Sequence, residues 1–173
     1  MTGFRCNDAR TVRQLVEAGA DVTVTDGYGH TPLHMACVGD TDVTAKAQCL
    51  LERCGDGDDA AAAAASLVDV TDGDGCTALN FAVGYNRLDV ATMLVDVYAA
   101  SVHHTDIHGN TCLHSAAIFG YMDMVKLLTS RPQCDVNRKN EDGKTSVDFA
   151  KEFGHTGVAD YLTGLSEQRQ ETT

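Results

Sequence analysis

One pattern of apolar and polar positions occurs four times along the chain. A glycine is followed two residues later by a threonine, and an apolar residue and an alanine stand two and five residues after that threonine. The four copies read GHTPLHMA at 29–36, GCTALNFA at 75–82, GNTCLHSA at 109–116 and GKTSVDFA at 143–150. Glycine permits a tight turn, threonine is a preferred helix N-cap, and apolar residues three apart share a helix face. The pattern therefore predicts a turn followed at once by a helix in each copy.

The same copies carry a family signature. The threonines of successive copies, Thr31, Thr77, Thr111 and Thr145, are 46, 34 and 34 residues apart. With Pro32 at the first helical position, the first copy contains Thr-Pro-Leu-His-x-Ala, so the chain resembles the ankyrin repeat, whose period is about 33 residues. The first interval exceeds that period by roughly 13 residues, which is the main departure from the family.

The resemblance implies an all-α fold, an α-solenoid of about five helix-turn-helix repeats joined by β-turn or hairpin loops, in a single domain over residues 1–165. The repeats are predicted at about 1–25, 26–71 with an insertion at 55–66, 72–105, 106–139 and 140–165. The first repeat is truncated, with a shortened inner helix at 4–7 and an outer helix and exit turn at 11–22. Inner helices are predicted at 32–39, 77–85, 111–119 and 145–153, and outer helices at 44–53, 88–97, 122–129 and 156–162. Gly164 then ends the last helix, and the polar tail 166–173 is expected to fray.

The insertion has its own composition. A Gly-Asp-rich stretch follows Cys54, and six alanines at 60–65 come after Asp58 and Asp59. We expect a mobile acidic loop with a short helix, either a tolerated surface insertion or an element that docks a partner. An ion site at Asp56, Asp58 and Asp59 is disfavoured, because the spacing lacks the glycine and distal glutamate of an EF-hand.

Composition narrows the class of partner. Apolar residues make up 43% of the chain and charged residues 22%, as in globular proteins, and the net charge is −12. This charge disfavours nucleic acid and anionic lipid and favours a protein partner with a basic patch. The odd number of cysteines, seven in all, are scattered without a Cys-x-x-Cys pair, and no secretory or membrane-spanning apolar segment occurs. We therefore expect a soluble protein of the cytoplasm or nucleus, monomeric when free.

Catalytic and metal-binding motifs give little signal. The sequence contains no nucleophile elbow, phosphate loop, zinc-protease or kinase signature, so we expect neither an enzyme nor a cofactor site. By resemblance, His34 and His114 hydrogen-bond the capping threonine and nearby backbone. Imidazoles at His103, His104 and His108 suit a transition metal or a pH-sensitive contact, but surface histidines at loop tips need no ligand.

The resemblance also suggests where a partner binds, because ankyrin proteins use the concave face lined by the inner helices together with the hairpin tips. At these positions we predict the protein-binding residues Tyr28, His30, Met35, Val38, Phe81, Tyr85, His104, His108, Ser115, Ile118, Phe119, Arg138, Lys139, Lys144, Glu152 and Phe153. For Phe119 and Phe153, packing between repeats is an equally good interpretation.

The predicted function is therefore non-catalytic, with the chain acting as an adaptor, a scaffold or an inhibitory subunit that presents a preformed surface to a protein. Two alternatives stay open. One is an architectural subunit held permanently in a larger complex. The other is a metal- or redox-responsive regulator that uses the three histidines or the cysteines, including Cys49 and Cys54.

Overall fold

A computed structural model describes residues 8–39, 41–52 and 60–171, and over this part of the chain the regular secondary structure is helical. The helices are α1 (Ala9–Glu17), α2 (Pro32–Val38), α3 (Val43–Glu52), α4 (Ala60–Val68), α5 (Ala78–Gly84), α6 (Leu88–Asp96), α7 (Cys112–Phe119), α8 (Met122–Thr129), α9 (Ser146–Glu152) and α10 (Thr156–Glu171). The predictions for residues 4–7, for Cys54 and for the three insertion aspartates lie outside the described residues. The chain divides into two compact units, residues 1–101 and 102–173, which are described separately here.

The inner helices begin where the threonines predict. Thr31, Thr77, Thr111 and Thr145 all have extended backbone and stand immediately before α2, α5, α7 and α9. An extended N-cap residue turns the chain into the helix and leaves its side chain beside the first backbone N–H groups. All predicted helix ends within the described residues are correct to within two residues, except the end of α10.

The first unit has two layers of helices. Inner helices α2 and α5 pack side by side, while the outer helices follow in the order α1, α3, α6, each packed on the next. Leu33 and Leu79 of the inner layer and Leu50 and Leu94 of the outer layer are fully buried between them. Burying leucines from both layers is what holds repeats together, because no single repeat can cover its own apolar face.

The second half of the insertion belongs to this core. The alanine run forms α4 as predicted, and α4 packs against α3 with Ala64, Leu67 and Val68 buried. The expectation of a mobile projecting loop is therefore wrong for residues 60–66. The reason is that Leu67 and Val68 continue the buried face one helical turn beyond Ala64, which a solvated helix would not do.

The second unit repeats the same two layers. Inner helix α7 packs against inner helix α9, each inner helix packs against its own outer helix, and outer helices α8 and α10 are in contact. Leu113, Met124, Leu128 and Leu162 are its large, fully buried side chains.

The last helix extends beyond its predicted end. The prediction that Gly164 ends it at Leu162 is wrong, and residues 166–171 are helical rather than a frayed tail. Arg169 explains the extension, because its guanidinium donates hydrogen bonds to the backbone carbonyls of Cys134 and Thr129, the latter at 2.8 Å. Thr129 ends α8, so Arg169 satisfies a carbonyl that its own helix leaves without a partner. A glycine inside a helix costs about 1 kcal/mol, which these bonds offset.

We expect Arg169→Ala to lower the free energy of unfolding by about 1 to 2 kcal/mol, because two charge-assisted hydrogen bonds at a partly exposed site are lost. Urea unfolding followed by circular dichroism measures this loss. Glu167→Ala, an exposed change on the same helix, is the matched control and should leave stability nearly unchanged. Equal losses in the two variants would show that Arg169 does not hold the extension.

Candidate functional site

The side chain three residues after each capping threonine hydrogen-bonds back to that threonine at the helix start. We call this pair of residues a bracket. In two repeats the later residue of the bracket is histidine, and the Nδ1 atoms of His34 and His114 accept hydrogen bonds from the backbone N–H groups of Thr31 (3.1 Å) and Thr111 (3.0 Å). Their Nε2 atoms lie 3.0 Å and 3.2 Å from the carbonyl oxygens of Cys76 and Lys144 in the next repeat. Since Nδ1 accepts and Nε2 donates, both imidazoles are neutral. The predicted structural role of the two histidines is confirmed.

Asparagine and aspartate replace the histidine in the other two repeats and keep the bracket. The backbone N–H of Thr77 donates to the side-chain oxygen of Asn80 at 3.0 Å, and that of Thr145 donates to Asp148 at 2.8 Å. The bond from the Thr145 backbone also lowers the pKa of Asp148. Asn80 and Asp148 therefore bond the capping threonine as the two histidines do.

We expect the brackets to make the fold sensitive to acid. Burial lowers the pKa of both His34 and His114, so the folded chain keeps them neutral at a pH where the unfolded chain is already protonated. Their stabilising contribution is complete above the unfolded pKa, near 6.5, and declines as the pH falls below it, by at most about 1.4 kcal/mol per histidine per pH unit. The free energy of urea unfolding, measured between pH 7.5 and 5.5, tests this decline.

Asn80 suggests the matched variant for this test. His34→Asn and His114→Asn keep the threonine bond but remove the titrating ring, so each variant is less stable at pH 7.5 and loses less stability on acidification. A decline as steep as that of the wild type would show that other groups cause it.

The hairpin tips are rigid because the same turn, closed by side-chain-to-backbone hydrogen bonds, forms at each of them. Asp26, Asp72, Asp106 and Asn140 each accept, through one side-chain oxygen, the backbone N–H groups two and four residues later, at 2.8 to 3.1 Å. Neighbouring tips are also joined, since the Gly73 N–H donates to the Tyr28 carbonyl at 2.9 Å. In the second unit the Glu141 N–H donates to the His108 carbonyl at 3.0 Å. A side chain on such a tip is presented with little freedom left to lose on binding.

In the first unit the predicted tip and inner-helix residues form one aromatic surface. The side chain of Tyr28 is 77% exposed, with its ring 5.7 Å from His30, and the His30 ring lies 5.4 Å from Phe81 in an edge-to-face arrangement. Asp26 holds His30 at 3.0 Å. Tyr85 follows Phe81 after one helical turn and is half exposed.

Met35 and Val38 of the inner helix α2 are less exposed than Tyr28 and Tyr85. Both side chains are partly buried, so only part of each is accessible to a partner.

Phe119 and Phe153, predicted either to bind a partner or to pack between repeats, lie at the surface of the second unit. Phe119 and Phe153 are 51% and 53% exposed, which argues against packing between repeats. Phe119 stacks on Tyr121 at 5.5 Å, while Ser115 and Ile118 of the same helix are partly buried beside it. Sequence reasoning missed Tyr121, although its position two residues after Phe119 was a usable signal.

Charged residues of the second unit are partly neutralised. Lys144 donates to Glu152 at 2.6 Å, and this hydrogen bond raises the pKa of Lys144. The Lys144 ammonium also lies 5.4 Å from the centre of the Phe149 ring. Arg138 and Lys139 are exposed at the tip before α9. The positive charge at this tip therefore comes mainly from Arg138 and Lys139.

The exposed apolar residues that sequence reasoning missed are Val24, before the first tip, Ile107, at the tip beside His108, and Val97, after outer helix α6. The signal for Ile107 was its position one residue after Asp106, where two other repeats have glycine.

The histidine and cysteine alternatives gain no support. Over the described residues no three His, Cys, Asp or Glu side chains converge on a point that would hold a metal ion, and His104 and His108 are not brought into such a group. Burial raises the pKa of the Cys37 thiol to about 12 and that of Cys134 to about 11. Both thiols therefore stay protonated at neutral pH, which makes them poor nucleophiles.

The chain is an α-solenoid repeat protein, because its helices are paired and stacked in two layers, its tips are rigid and its inner helices start with brackets. Family models identify which one: ankyrin repeats in three copies match residues 3–106, and ankyrin repeats in many copies match residues 94–150. The chain belongs to the ankyrin-repeat family, whose members are generally non-catalytic protein–protein interaction modules. No curated protein matches it. None of the described helices is both long and apolar enough to cross a membrane.

Proposed function

We propose that this chain is an adaptor, a scaffold or an inhibitory subunit that binds a protein partner through the ends of its inner helices and its hairpin tips. One observation supports this most directly. The position eight residues after the capping threonine carries an aromatic side chain in three successive repeats, as Tyr85, Phe119 and Phe153. These side chains are 50%, 51% and 53% exposed.

Folding alone does not explain why an aromatic ring is exposed at the same position in three repeats. A ring left half in water forfeits part of its burial free energy, and aromatic side chains are among those most enriched at binding hot spots. All three residues stand at or next to the ends of short helices that begin with rigid caps, so their backbones are already ordered. Covering any one of these rings on binding gains apolar burial without ordering the backbone that carries it.

The test is capture from a native extract on the wild-type chain and on the triple variant Tyr85→Ala, Phe119→Ala, Phe153→Ala. Val97→Ala is the matched control, because Val97 is 69% exposed but follows an outer helix. A partner identified by mass spectrometry is then purified and titrated calorimetrically against each protein. We expect the triple variant to bind at least about 30-fold more weakly and the control to bind within about twofold of wild type. Equal capture by all three proteins would refute the proposed surface.

A further inference from the structure

We propose that the aromatic surface of the first unit, formed by Tyr28, Phe81 and Tyr85 and bordered by Asp26 and Asp74, binds an arginine- or lysine-rich segment of a partner protein. This inference depends on the proposed function and specifies the partner's chemistry for one of the two units.

The acidic excess of the chain is concentrated in the first unit. Residues 1–101 contain six Lys and Arg against fifteen Asp and Glu, whereas residues 102–173 contain seven against ten. No lysine or arginine occurs between Arg13 and Lys46, nor between Arg53 and Arg87. Both tips of the unit, around Tyr28 and around Asp74, fall in these stretches.

The basic residues of the unit do not offset this charge at the tips. Lys46 is buried on outer helix α3, and the Arg87 guanidinium donates to the Gly39 carbonyl at 2.8 Å. Arg10 and Arg13 are exposed but belong to outer helix α1. Over the described residues of this unit, the tip surface therefore carries its carboxylates without a lysine or arginine beside them, and the His30 ring lies between Asp26 at 3.0 Å and Asp72 at 3.5 Å.

Contacts connect Tyr28 to Phe81 and to the tip that carries Asp74. The Tyr28 backbone is fixed on both sides, since its N–H donates to Asp26 at 2.9 Å and its carbonyl accepts from Gly73. The contacts described above then connect its ring through His30 to Phe81, with Asp26 beside the imidazole. Asp74 on the neighbouring tip is exposed, and only its backbone N–H is engaged, by Asp72 at 2.9 Å, among the hydrogen bonds of the described residues.

The combination of aromatic rings and carboxylates favours positively charged side chains of a partner protein. A guanidinium or ammonium group is attracted to the face of a tyrosine ring and at the same time to a carboxylate. The same negative field repels the phosphates of nucleic acid and of anionic lipid. A basic peptide segment also supplies apolar side-chain stems that cover the half-exposed Tyr85.

A random 12-residue peptide library displayed on phage and selected against the immobilised full chain supplies the probe. We expect enriched peptides with net positive charge and at least two Arg or Lys. Synthetic peptides of these sequences are then titrated against Asp74→Asn, Tyr28→Ala and Asp89→Asn. The last variant is the matched control, because it removes one exposed carboxylate from outer helix α6.

The expected pattern is specific to the tips. Asp74→Asn weakens binding about two- to fivefold and Tyr28→Ala by at least about threefold, whereas Asp89→Asn stays within about twofold of wild type. Raising the salt concentration from 0.05 M to 0.5 M weakens wild-type binding, and weakens that of Asp74→Asn less.

Several outcomes would overturn the proposal: enrichment of neutral or acidic peptides, no enrichment at all, equal effects of Asp74→Asn and Asp89→Asn, or binding of basic peptides that is indifferent to Tyr28→Ala. The last outcome would indicate general attraction to an acidic protein. None of these results contradicts the proposed function if the triple aromatic variant still loses its captured partner, so the two failures are distinguishable.

Discussion

Replacing Gly120 by alanine is expected to lower the free energy of unfolding of the second unit by about 2 to 5 kcal/mol. Gly120 follows α7 with φ of +72°, a left-handed conformation that costs a residue with a Cβ about 1 to 2 kcal/mol. An added Cβ would also lie 2.4 Å from Nδ1 of His155, inside any allowed contact. The His155 ring is not able to move away without loss, because its Nε2 hydrogen-bonds the Ile118 carbonyl at 2.9 Å.

Gly154→Ala is the control that separates the two causes. Gly154 occupies the equivalent position in the next repeat with φ of +78°, and nothing lies within 4 Å of its added Cβ. This variant should lose only the conformational part, about 1 to 2 kcal/mol. Urea unfolding of both variants measures the difference, and equal losses would show that the approach of His155 is not a constraint on this turn.

Leu67→Ala is expected to lower the free energy of unfolding of the first unit by about 2 to 5 kcal/mol. Leu67 is buried where α4 packs against α3, and truncating its side chain removes apolar contact and leaves a cavity. The prediction is worth testing because the residues just before Leu67, 55–66, were expected to form a mobile insertion. Chemical denaturation with guanidinium, followed by circular dichroism, measures the loss.

Ser66→Ala provides the comparison one residue away. Ser66 is exposed on the same helix, so the change should be neutral or slightly stabilising, since alanine is the better helix former. If Leu67→Ala proves as mild as Ser66→Ala, then α4 does not contribute to the core.

The sequence by itself determined the features that depend on near neighbours in the chain. The inner helices start at Thr31, Thr77, Thr111 and Thr145 because a cap and the side chain three residues later form their bonds within a single turn. The repeat of these local signals also identified the family, and with it the general class of function. The roles of His34 and His114 were implied by the resemblance to that family.

Tertiary structure alone decided the features that depend on distant residues. Gly164 reads as a helix stop, yet α10 continues because Arg169 meets carbonyls 35 and 40 residues earlier in the chain. The alanine run at 60–65 reads as part of a projecting loop until α3 is placed beside it. Phe119 and Phe153 have the same helical spacing whether they are covered or exposed, and only the packed neighbours settle which. Local hydrogen bonds are thus encoded within a few residues, whereas burial is a property of surfaces that meet only in the folded chain.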